Sequence, residues 1–262
     1  MLLVMDVGNS HIKVGIFDGK KLVNSWRLQT NTKSTSDEYG LSLINIMNHT
    51  GLSLDNIEGV AMSSVIPSLN YTLEHMVDFY IGKKLMIAGP GVKTGINIKY
   101  ENPKDVGADR IVNSLAAYRL YGGPCIVVDF GTATTFNVIN AQGEFIGGPI
   151  CPGIRITAEA LTQNAAKLPK IELVKPERVV GKTTVSNMQS GIIYGFIGMV
   201  DYMLRRVKAE LGFEDAHIIA TGGFSELVAG EEKIFDRIDK TLTLTGLRMM
   251  FELNCGAPEA SS

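Results

Sequence analysis

Short blocks of apolar and polar residues follow one another along the first 30 residues and predict three consecutive strands. Residues 2–5 are apolar, residues 12–17 form a second mostly apolar run, and residues 21–28 alternate between apolar and polar. A polar turn separates the first two blocks, and an Asp-Gly pair separates the second from the third. Such a turn between alternating segments is typical of a β-hairpin. We therefore predict a three-stranded meander at the N-terminus.

Further along the chain, the spacing of apolar residues changes between helical and extended periods. Helices are predicted at Ser36–His49, with Ser36 as the cap, and at Pro103–Tyr121, Ser186–Leu211 and Thr243–Leu253. Strands are predicted at Val60–Val65, Leu85–Ile87 and His217–Ala220. The mixture indicates an α/β fold.

The opening pattern returns in the second half of the chain. An apolar run at residues 125–128 leads into D-F-G-T-A-T-T, just as the first strand leads into D-V-G-N-S. Asp6 aligns with Asp129 and Gly8 with Gly131, both at an offset of 123 residues (129 − 6 and 131 − 8). An internal repeat of this length indicates a duplicated domain rather than a solenoid. We expect two α/β lobes, residues 1–122 and 123–262, with a cleft between them.

Composition and charge exclude several classes of protein. The chain has 25 basic and 27 acidic residues, a net charge of −2, so we expect no broad electrostatic contact with nucleic acid or membrane. Three cysteines without a C-x-x-C pair argue against a zinc ribbon or a disulfide framework. The N-terminus lacks the basic region of a signal peptide, and the longest apolar stretch, residues 191–200, is half a membrane span. We expect a cytoplasmic protein.

Glycine is the unusual figure, with 28 among 262 residues, about 11% against a usual ~7%. Two of these glycines follow Asp6 and Asp129 in Asp-x-Gly turns. In such a turn the backbone N–H groups can approach a phosphate while the carboxylate holds its metal ion. Lys13 adds a charge for phosphate, and residues 132–135 add hydroxyl groups. A plain β-turn is the alternative for one such motif, but two at a common offset favour phosphate binding.

Asp109 and Arg110 form the other candidate constellation. On a helix, an Asp-Arg pair is often only a solvated or capping pair. However, Gly107 and Ala108 remove bulk from the preceding turn, as an approaching substrate would require. In the functional interpretation, Asp109 accepts the proton of an attacking hydroxyl and Arg110 binds an anionic substrate.

Residues 176–183, P-E-R-V-V-G-K-T, differ by one residue from a nucleotide-binding P-loop. Proline replaces the first glycine and removes a backbone N–H that such a loop needs. We therefore interpret the segment as a loop before a helix, with Thr184 and Ser186 as capping residues.

Together the motifs resemble those of a known family. D-V-G-N-S, D-F-G-T-A-T-T and A-T-G-G-F (220–224) are similar to the phosphate-1, phosphate-2 and adenosine elements of the acetate and sugar kinase/Hsp70/actin superfamily. Within it, G-A-D-R-I-V-N (107–113), P-G-I (152–154) and G-K-T-T-V-S-N-M-Q-S-G (181–191) resemble the type III pantothenate kinases. The resemblance covers nearly the whole chain and implies duplicated ribonuclease H-like (actin-like ATPase) domains.

The resemblance also implies an activity, cofactors and site residues. The expected reaction is ATP-dependent phosphorylation of pantothenate to 4′-phosphopantothenate, the first step of coenzyme A synthesis, with Mg²⁺, a monovalent cation (K⁺ or NH₄⁺) and a homodimer. Asp109 is the expected catalytic base, Asp129 the ligand of the monovalent cation, and Asp6 a ligand of Mg²⁺. The expected ATP-binding residues are Asp6, Val7, Gly8, Asn9, Ser10, His11, Ile12, Lys13 and Thr132. The expected substrate-binding residues are Tyr100, Gly107, Ala108, Asp109, Arg110 and Thr184.

Two alternatives stay open from the sequence. One is a non-catalytic ATP-binding transcriptional accessory protein on the same fold, and the other is a kinase of another small alcohol or acid. Gly191 and Gly195 form a G-x-x-x-G pattern, which indicates either tight packing within the chain or a subunit interface.

Overall fold

A computed structural model describes residues 1–229 and 233–256, which form two compact units. The first unit contains residues 1–97, 101–116 and the chain from residue 242, and the second contains residues 98–100 and 117–241. The strands are β1 (Leu2–Val7), β2 (His11–Asp18), β3 (Lys21–Gln29), β4 (Gly59–Ser64), β5 (Leu85–Ile87), β6 (Asn97–Ile98), β7 (Cys125–Phe130), β8 (Ala133–Ile139), β9 (Glu144–Gly147), β10 (Ile150–Pro152), β11 (His217–Gly222) and β12 (Arg237–Ile238). The helices are α1 (Ser36–His49), α2 (Pro67–Ile81), α3 (Ala108–Tyr121), α4 (Ile154–Asn164), α5 (Thr184–Leu211), α6 (Ser225–Ala229) and α7 (Leu242–Cys255).

The first unit is built on a five-stranded sheet in the order β3-β2-β1-β4-β5. The three N-terminal strands pair antiparallel, as the meander prediction requires, and the Asp18-Gly19 turn joins the second to the third. The strands β4 and β5 then add in parallel on the other side of β1. Every residue of β1 except Asp6 is buried, so one polar side chain interrupts an otherwise apolar central strand.

The second unit repeats this arrangement. Its sheet has the order β12-β11-β7-β8-β9-β6, with β10 pairing antiparallel to β8. Again a central strand, here β7, pairs antiparallel with the strand that follows it and parallel with a later strand, β11. The duplication predicted from the two Asp-x-Gly turns is therefore confirmed in the strand order of both sheets.

Apolar faces of the helices cover the sheet of the first unit. Residues from α1 and α2, among them Leu43, Met47, Leu73 and Val77, form one core with the inward side chains of the sheet. The C-terminal helix α7 packs against β1, β2 and β4, and the ring of Phe251 lies directly over Gly59. The last helix thus belongs to the first unit, so the packing units differ from a simple division of the chain at residue 122.

The core of the second unit lies between its sheet and the helices α4, α5 and α6. Ile154, Ile193, Phe196 and Val200 pack with buried residues of the strands β7, β8 and β11. Within residues 1–229 and 233–256, no helix is both long and apolar enough to cross a membrane.

The structure corrects several local predictions. Helix α1 is capped by Thr35, one residue before the predicted cap, in a reciprocal pair of hydrogen bonds with Glu38. The predicted helix at 103–121 is interrupted, because Val106 is extended between a short 3₁₀ turn (Pro103–Asp105) and α3. Thr183, and not Thr184 as predicted, caps α5 with Ser186 as its capping partner, so the segment starts a helix rather than forming a P-loop.

Candidate active site

Asp6 lies near the end of β1, where two neighbouring strands bring polar side chains to its carboxylate. On β4, the Ser63 hydroxyl donates a hydrogen bond to Asp6 Oδ1 over 2.9 Å. On β2, Lys13 Nζ lies 3.6 Å from Asp6 Oδ2. Both residues pair with Asp6 in the sheet register, and the Asp6 side chain is only 15% exposed. The sequence pointed to Asp6 and Lys13 but gave no sign of Ser63, because its place beside Asp6 depends on a parallel pairing 57 residues away.

In the turn between β1 and β2, the carbonyls of Gly8 and Ser10 accept hydrogen bonds, whereas two amides stay open among the described residues. The Gly8 N–H donates to the carbonyl of His11 over 3.1 Å. From the end of β3, the Thr30 hydroxyl donates to the Gly8 carbonyl over 2.7 Å, and the Thr30 N–H donates to the carbonyl of Ser10 over 3.1 Å. Within the described residues, the N–H groups of Asn9 and Ser10 donate to no protein acceptor. Exposed, pre-positioned amides beside a lysine can bind phosphate oxygens.

Asp109 lies in the first turn of α3, also in the first unit, and is partly buried. Burial raises the pKa of Asp109 above the ordinary carboxyl value, and the negative charge of Asp6 raises this pKa further. Hydrogen bonds from the backbone N–H groups of Arg110 and of Asp109 itself, and the positive charge of Arg110, act in the opposite direction with smaller effect. The structure therefore places two carboxylates of the first unit within electrostatic reach of each other.

The residues around Asp109 are placed by the start of α3. The Gly107 carbonyl accepts hydrogen bonds from the N–H groups of Arg110 and Ile111, which begin the helix. A side chain on Gly107 would collide with Asp109 Oδ1, so glycine here leaves room for the carboxylate itself. Ala108 is partly buried, and Arg110 is 5% exposed. The Arg110 guanidinium is thus largely enclosed by the protein rather than presented on an open surface.

Asp129 occupies the corresponding position on β7 in the second unit. Its register partners are Thr135 on β8 and Thr221 on β11, so two hydroxyl-bearing residues flank it. Gly222 has φ +92°, and a side chain there would collide with Asp129 Oδ1 and the backbone of Phe130. The Thr221 hydroxyl is buried and has no hydrogen-bond partner among the described residues.

The turn after β7 is held from one side by the strand–helix junction at Gly153. The Gly153 N–H donates to the Thr132 carbonyl over 3.1 Å, and the Gly131 N–H donates to the Ala133 carbonyl. The Thr132 side chain is exposed on this turn. Like the turn after β1, it presents polar groups at the end of a buried strand.

Two further predicted substrate residues, Tyr100 and Thr184, lie in the second unit. Tyr100 is 39% exposed, and its ring centroid lies 6.3 Å from that of Phe145. Thr184, in the first turn of α5, lines a cavity of about 650 Å³ between α4 and α5. Leu161, Leu168 and Met199 give this cavity a mainly apolar wall.

Gly191 and Gly195 line the same cavity. A side chain added at either position would meet no atom of the described chain within 4 Å. These glycines therefore do not serve tight packing within the chain, one of the two interpretations of the G-x-x-x-G pattern.

The residues around Asp6 and around Asp129 offer different ligands to the two expected cations, Mg²⁺ and K⁺ or NH₄⁺. Among the described residues, no three His, Cys, Asp or Glu side chains come together as a metal cluster. Magnesium that arrives with a nucleotide needs only one or two carboxylates, because the phosphates and waters complete its shell. The single carboxylate of Asp6 fits that requirement. Asp129 between two threonines offers oxygen ligands, and the Thr221 hydroxyl, which has no partner in the described part of the chain, fits a neighbouring cation.

The sequence profile of the family described as type III pantothenate kinase matches residues 2–206. The match covers both Asp-x-Gly turns, the Asp109 segment and most of α5. The chain belongs to the type III pantothenate kinase family. It is therefore a pantothenate kinase.

Solved structures confirm the fold of this kinase. A Baf family transcriptional activator from Campylobacter jejuni is 18% identical, with a TM-score of 0.60 over 95% of this chain and 97% of the other. The activator of 2-hydroxyisocaproyl-CoA dehydratase from Clostridium difficile, with bound ADPNP, is 13% identical, with a TM-score of 0.51 over 94% and 91%. At these identities the likeness extends to the duplicated α/β fold alone.

Proposed function

We propose that this chain transfers the γ-phosphoryl group of ATP to the primary hydroxyl of pantothenate, with Asp109 as the catalytic base. The observation that carries this assignment is the electrostatic interaction between Asp109 and Asp6, the carboxylate that Lys13 and Ser63 contact in the same unit. Phosphoryl transfer asks the protein mainly for positioning and charge stabilisation, and these residues supply both.

The raised pKa of Asp109 supports its role as a base. A carboxylate with an ordinary pKa is a weak base at neutral pH, and catalysis improves as the pKa approaches the working pH. Burial and the charge of Asp6 both raise the pKa of Asp109 in that direction. In our proposal Asp109 orients the pantothenate hydroxyl and takes its proton as the oxygen attacks phosphorus.

The turn after β1 is the proposed phosphate site. The open N–H groups of Asn9 and Ser10 and the ammonium of Lys13 would contact phosphate oxygens, and Asp6 would hold the Mg²⁺. Bound Mg²⁺ neutralises charge that develops on the phosphates. Val7, Gly8, His11 and Ile12 contribute the backbone of this hairpin, and Thr132 adds a hydroxyl on the second turn.

Asp129 is the proposed ligand of the monovalent cation. Its register partners on both adjacent strands, Thr135 and Thr221, carry hydroxyl oxygens that a cation could share with the carboxylate. The buried Thr221 hydroxyl supports a cation at this place, because a buried polar group without a partner is costly.

Arg110, Tyr100, Gly107, Ala108 and Thr184 are the proposed pantothenate-binding residues. An arginine suits the substrate carboxylate because its planar fork can donate two hydrogen bonds. We further propose a cytoplasmic homodimer, in which the open glycine face of α5 contacts a second copy. The absence of intrachain packing at Gly191 and Gly195 among the described residues supports this choice.

An acceptor panel tests the proposed function. The purified protein is incubated with ATP, Mg²⁺ and K⁺, and ADP release is followed with pantothenate, acetate, several sugars and small alcohols. We expect release with pantothenate at least tenfold faster than with any other acceptor. Release with a sugar or acetate instead would indicate a different kinase, and no release with any acceptor would favour the non-catalytic accessory protein.

A further inference from the structure

Ser63 is a buried serine whose hydroxyl faces Asp6. The residue is 1% exposed and sits on β4 after the apolar residues Val60, Ala61 and Met62. A hydroxyl in such a strand is unfavourable unless it forms a hydrogen bond. Its partner is Asp6 Oδ1, at 2.9 Å, and a bond to an ionised acceptor is among the stronger kinds.

The neighbouring serine has a different environment. The Ser64 hydroxyl accepts a hydrogen bond from the Ile66 N–H over 3.1 Å and so belongs to the loop before α2. Successive side chains of a strand point to opposite faces, which explains why one serine reaches Asp6 and the next does not. Ser64 is therefore a matched control for Ser63.

Together, Ser63 and Lys13 orient the Asp6 carboxylate. The hydroxyl holds Oδ1, and the ammonium lies 3.6 Å from Oδ2, so each oxygen has its own neighbour. A carboxylate with only one of these neighbours would rotate more freely about its χ2 bond. Binding groups held by such supporting contacts lose less freedom when a ligand arrives.

We propose that Ser63 is a positioning residue for Mg²⁺·ATP, acting through the orientation of the Asp6 carboxylate. The inference rests on the proposed function, since it assumes that Asp6 meets the nucleotide-bound metal. It assigns no contact between Ser63 and the nucleotide itself.

Calorimetric titration with Mg²⁺·ATP, without any acceptor, tests this proposal on Ser63→Ala, Ser63→Thr and Ser64→Ala. We expect Ser63→Ala to bind on the order of tenfold more weakly, because one hydrogen bond to a charged group is lost. Ser63→Thr keeps the hydroxyl and should restore most of the affinity, and Ser64→Ala should bind like wild type. In steady-state assays, Ser63→Ala should raise the KM for ATP while kcat at saturating ATP changes less than twofold.

Wild-type affinity in Ser63→Ala, or an equal loss in Ser64→Ala, would overturn the proposal. So would a Ser63→Thr variant that melts like wild type but binds as weakly as Ser63→Ala. The titration contains no pantothenate, so it separates the two proposals. If the wild-type protein binds Mg²⁺·ATP but phosphorylates no acceptor, only the proposed function is contradicted. If it binds no nucleotide, the proposed function and the role of Ser63 are both contradicted.

Discussion

The two Asp-x-Gly hairpins have the same backbone plan but different neighbours. In each, an aspartate near the end of a buried strand pairs antiparallel with the next strand and parallel with a later one. Opposite Asp6 stand Lys13 and Ser63, and opposite Asp129 stand Thr135 and Thr221. A lysine ammonium thus lies 3.6 Å from the first carboxylate, whereas the register partners of the second are two threonines.

In our proposal, this difference gives the two copies of the duplicated hairpin different functions. We propose that Lys13 attracts phosphate to the first turn and that Asp6 would hold the metal ion bound to that phosphate. In our proposal, the Asp129 carboxylate and the hydroxyl oxygens of its two threonine register partners are ligands for a bound cation. The repeat supplies the same strand pairing twice, and we propose that the residues beside each aspartate give each hairpin its own ligand.

The largest effect, on turnover, is expected from a substitution of Asp109 in the first unit. Asp109→Asn removes the base while keeping the shape of the side chain, so kcat should fall on the order of 10²–10⁴-fold. Calorimetry should show nearly unchanged binding of Mg²⁺·ATP. Asp105→Asn, an exposed carboxylate in the preceding 3₁₀ turn, is the matched control and should keep wild-type turnover. Near-normal turnover in Asp109→Asn would remove this residue as the base.

A smaller effect, on nucleotide affinity, is expected when the charge of Lys13, which distinguishes the first hairpin from the second, is removed. Lys13→Met keeps the length of the side chain but removes its charge, so the affinity for Mg²⁺·ATP should fall about 10- to 100-fold. Lys21→Met, at the exposed start of β3, removes the same charge from a place to which we assign no function. If both variants bind nucleotide equally well, Lys13 does not contact phosphate.

The smallest effect is expected on the melting temperature of the protein when Asp109 can no longer ionise. The folded-state pKa of Asp109 lies above its unfolded value, so the folded state binds more protons and its stability falls as pH rises between the two values. Asp109→Asn cannot ionise and should therefore melt at a higher temperature than wild type at pH 7. The difference should shrink as the pH is lowered towards ~4, the ordinary carboxyl value. Thermal denaturation at the two pH values measures it, and a difference that grows on acidification would contradict the assigned pKa direction.

Much of the fold could be predicted from local pattern. The meander β1–β3, the helix α1 and the strand β5 appear where the apolar spacing placed them. Helix α2 was missed, although Pro67 at its start, apolar Leu69, Leu73, Met76 and Val77, and a left-handed Gly82 after its end are ordinary helix signals. Helix α4 was missed as well.

Contacts between distant segments could not be predicted in this way. The return of α7 to the first sheet depends on packing at residues such as Gly15 and Gly59, which no local pattern identifies. The hydrogen bond between Ser63 and Asp6 requires knowing which strand lies beside β1. Sequence reasoning could select the charged residues of the candidate site because charged residue types are chemically distinctive. A single serine carries no such signal.

The ratio of initial rates in K⁺ and in Na⁺ tests most directly whether the two hairpins have different functions. It is measured with pantothenate and ATP for wild type, Lys13→Met and Asp129→Asn. We predict a K⁺/Na⁺ rate ratio well above one for wild type and for Lys13→Met, because the proposed cation site is intact in both. For Asp129→Asn we predict a ratio near one. A wild-type ratio in Asp129→Asn, or a wild type indifferent to the exchange of cations, would contradict it.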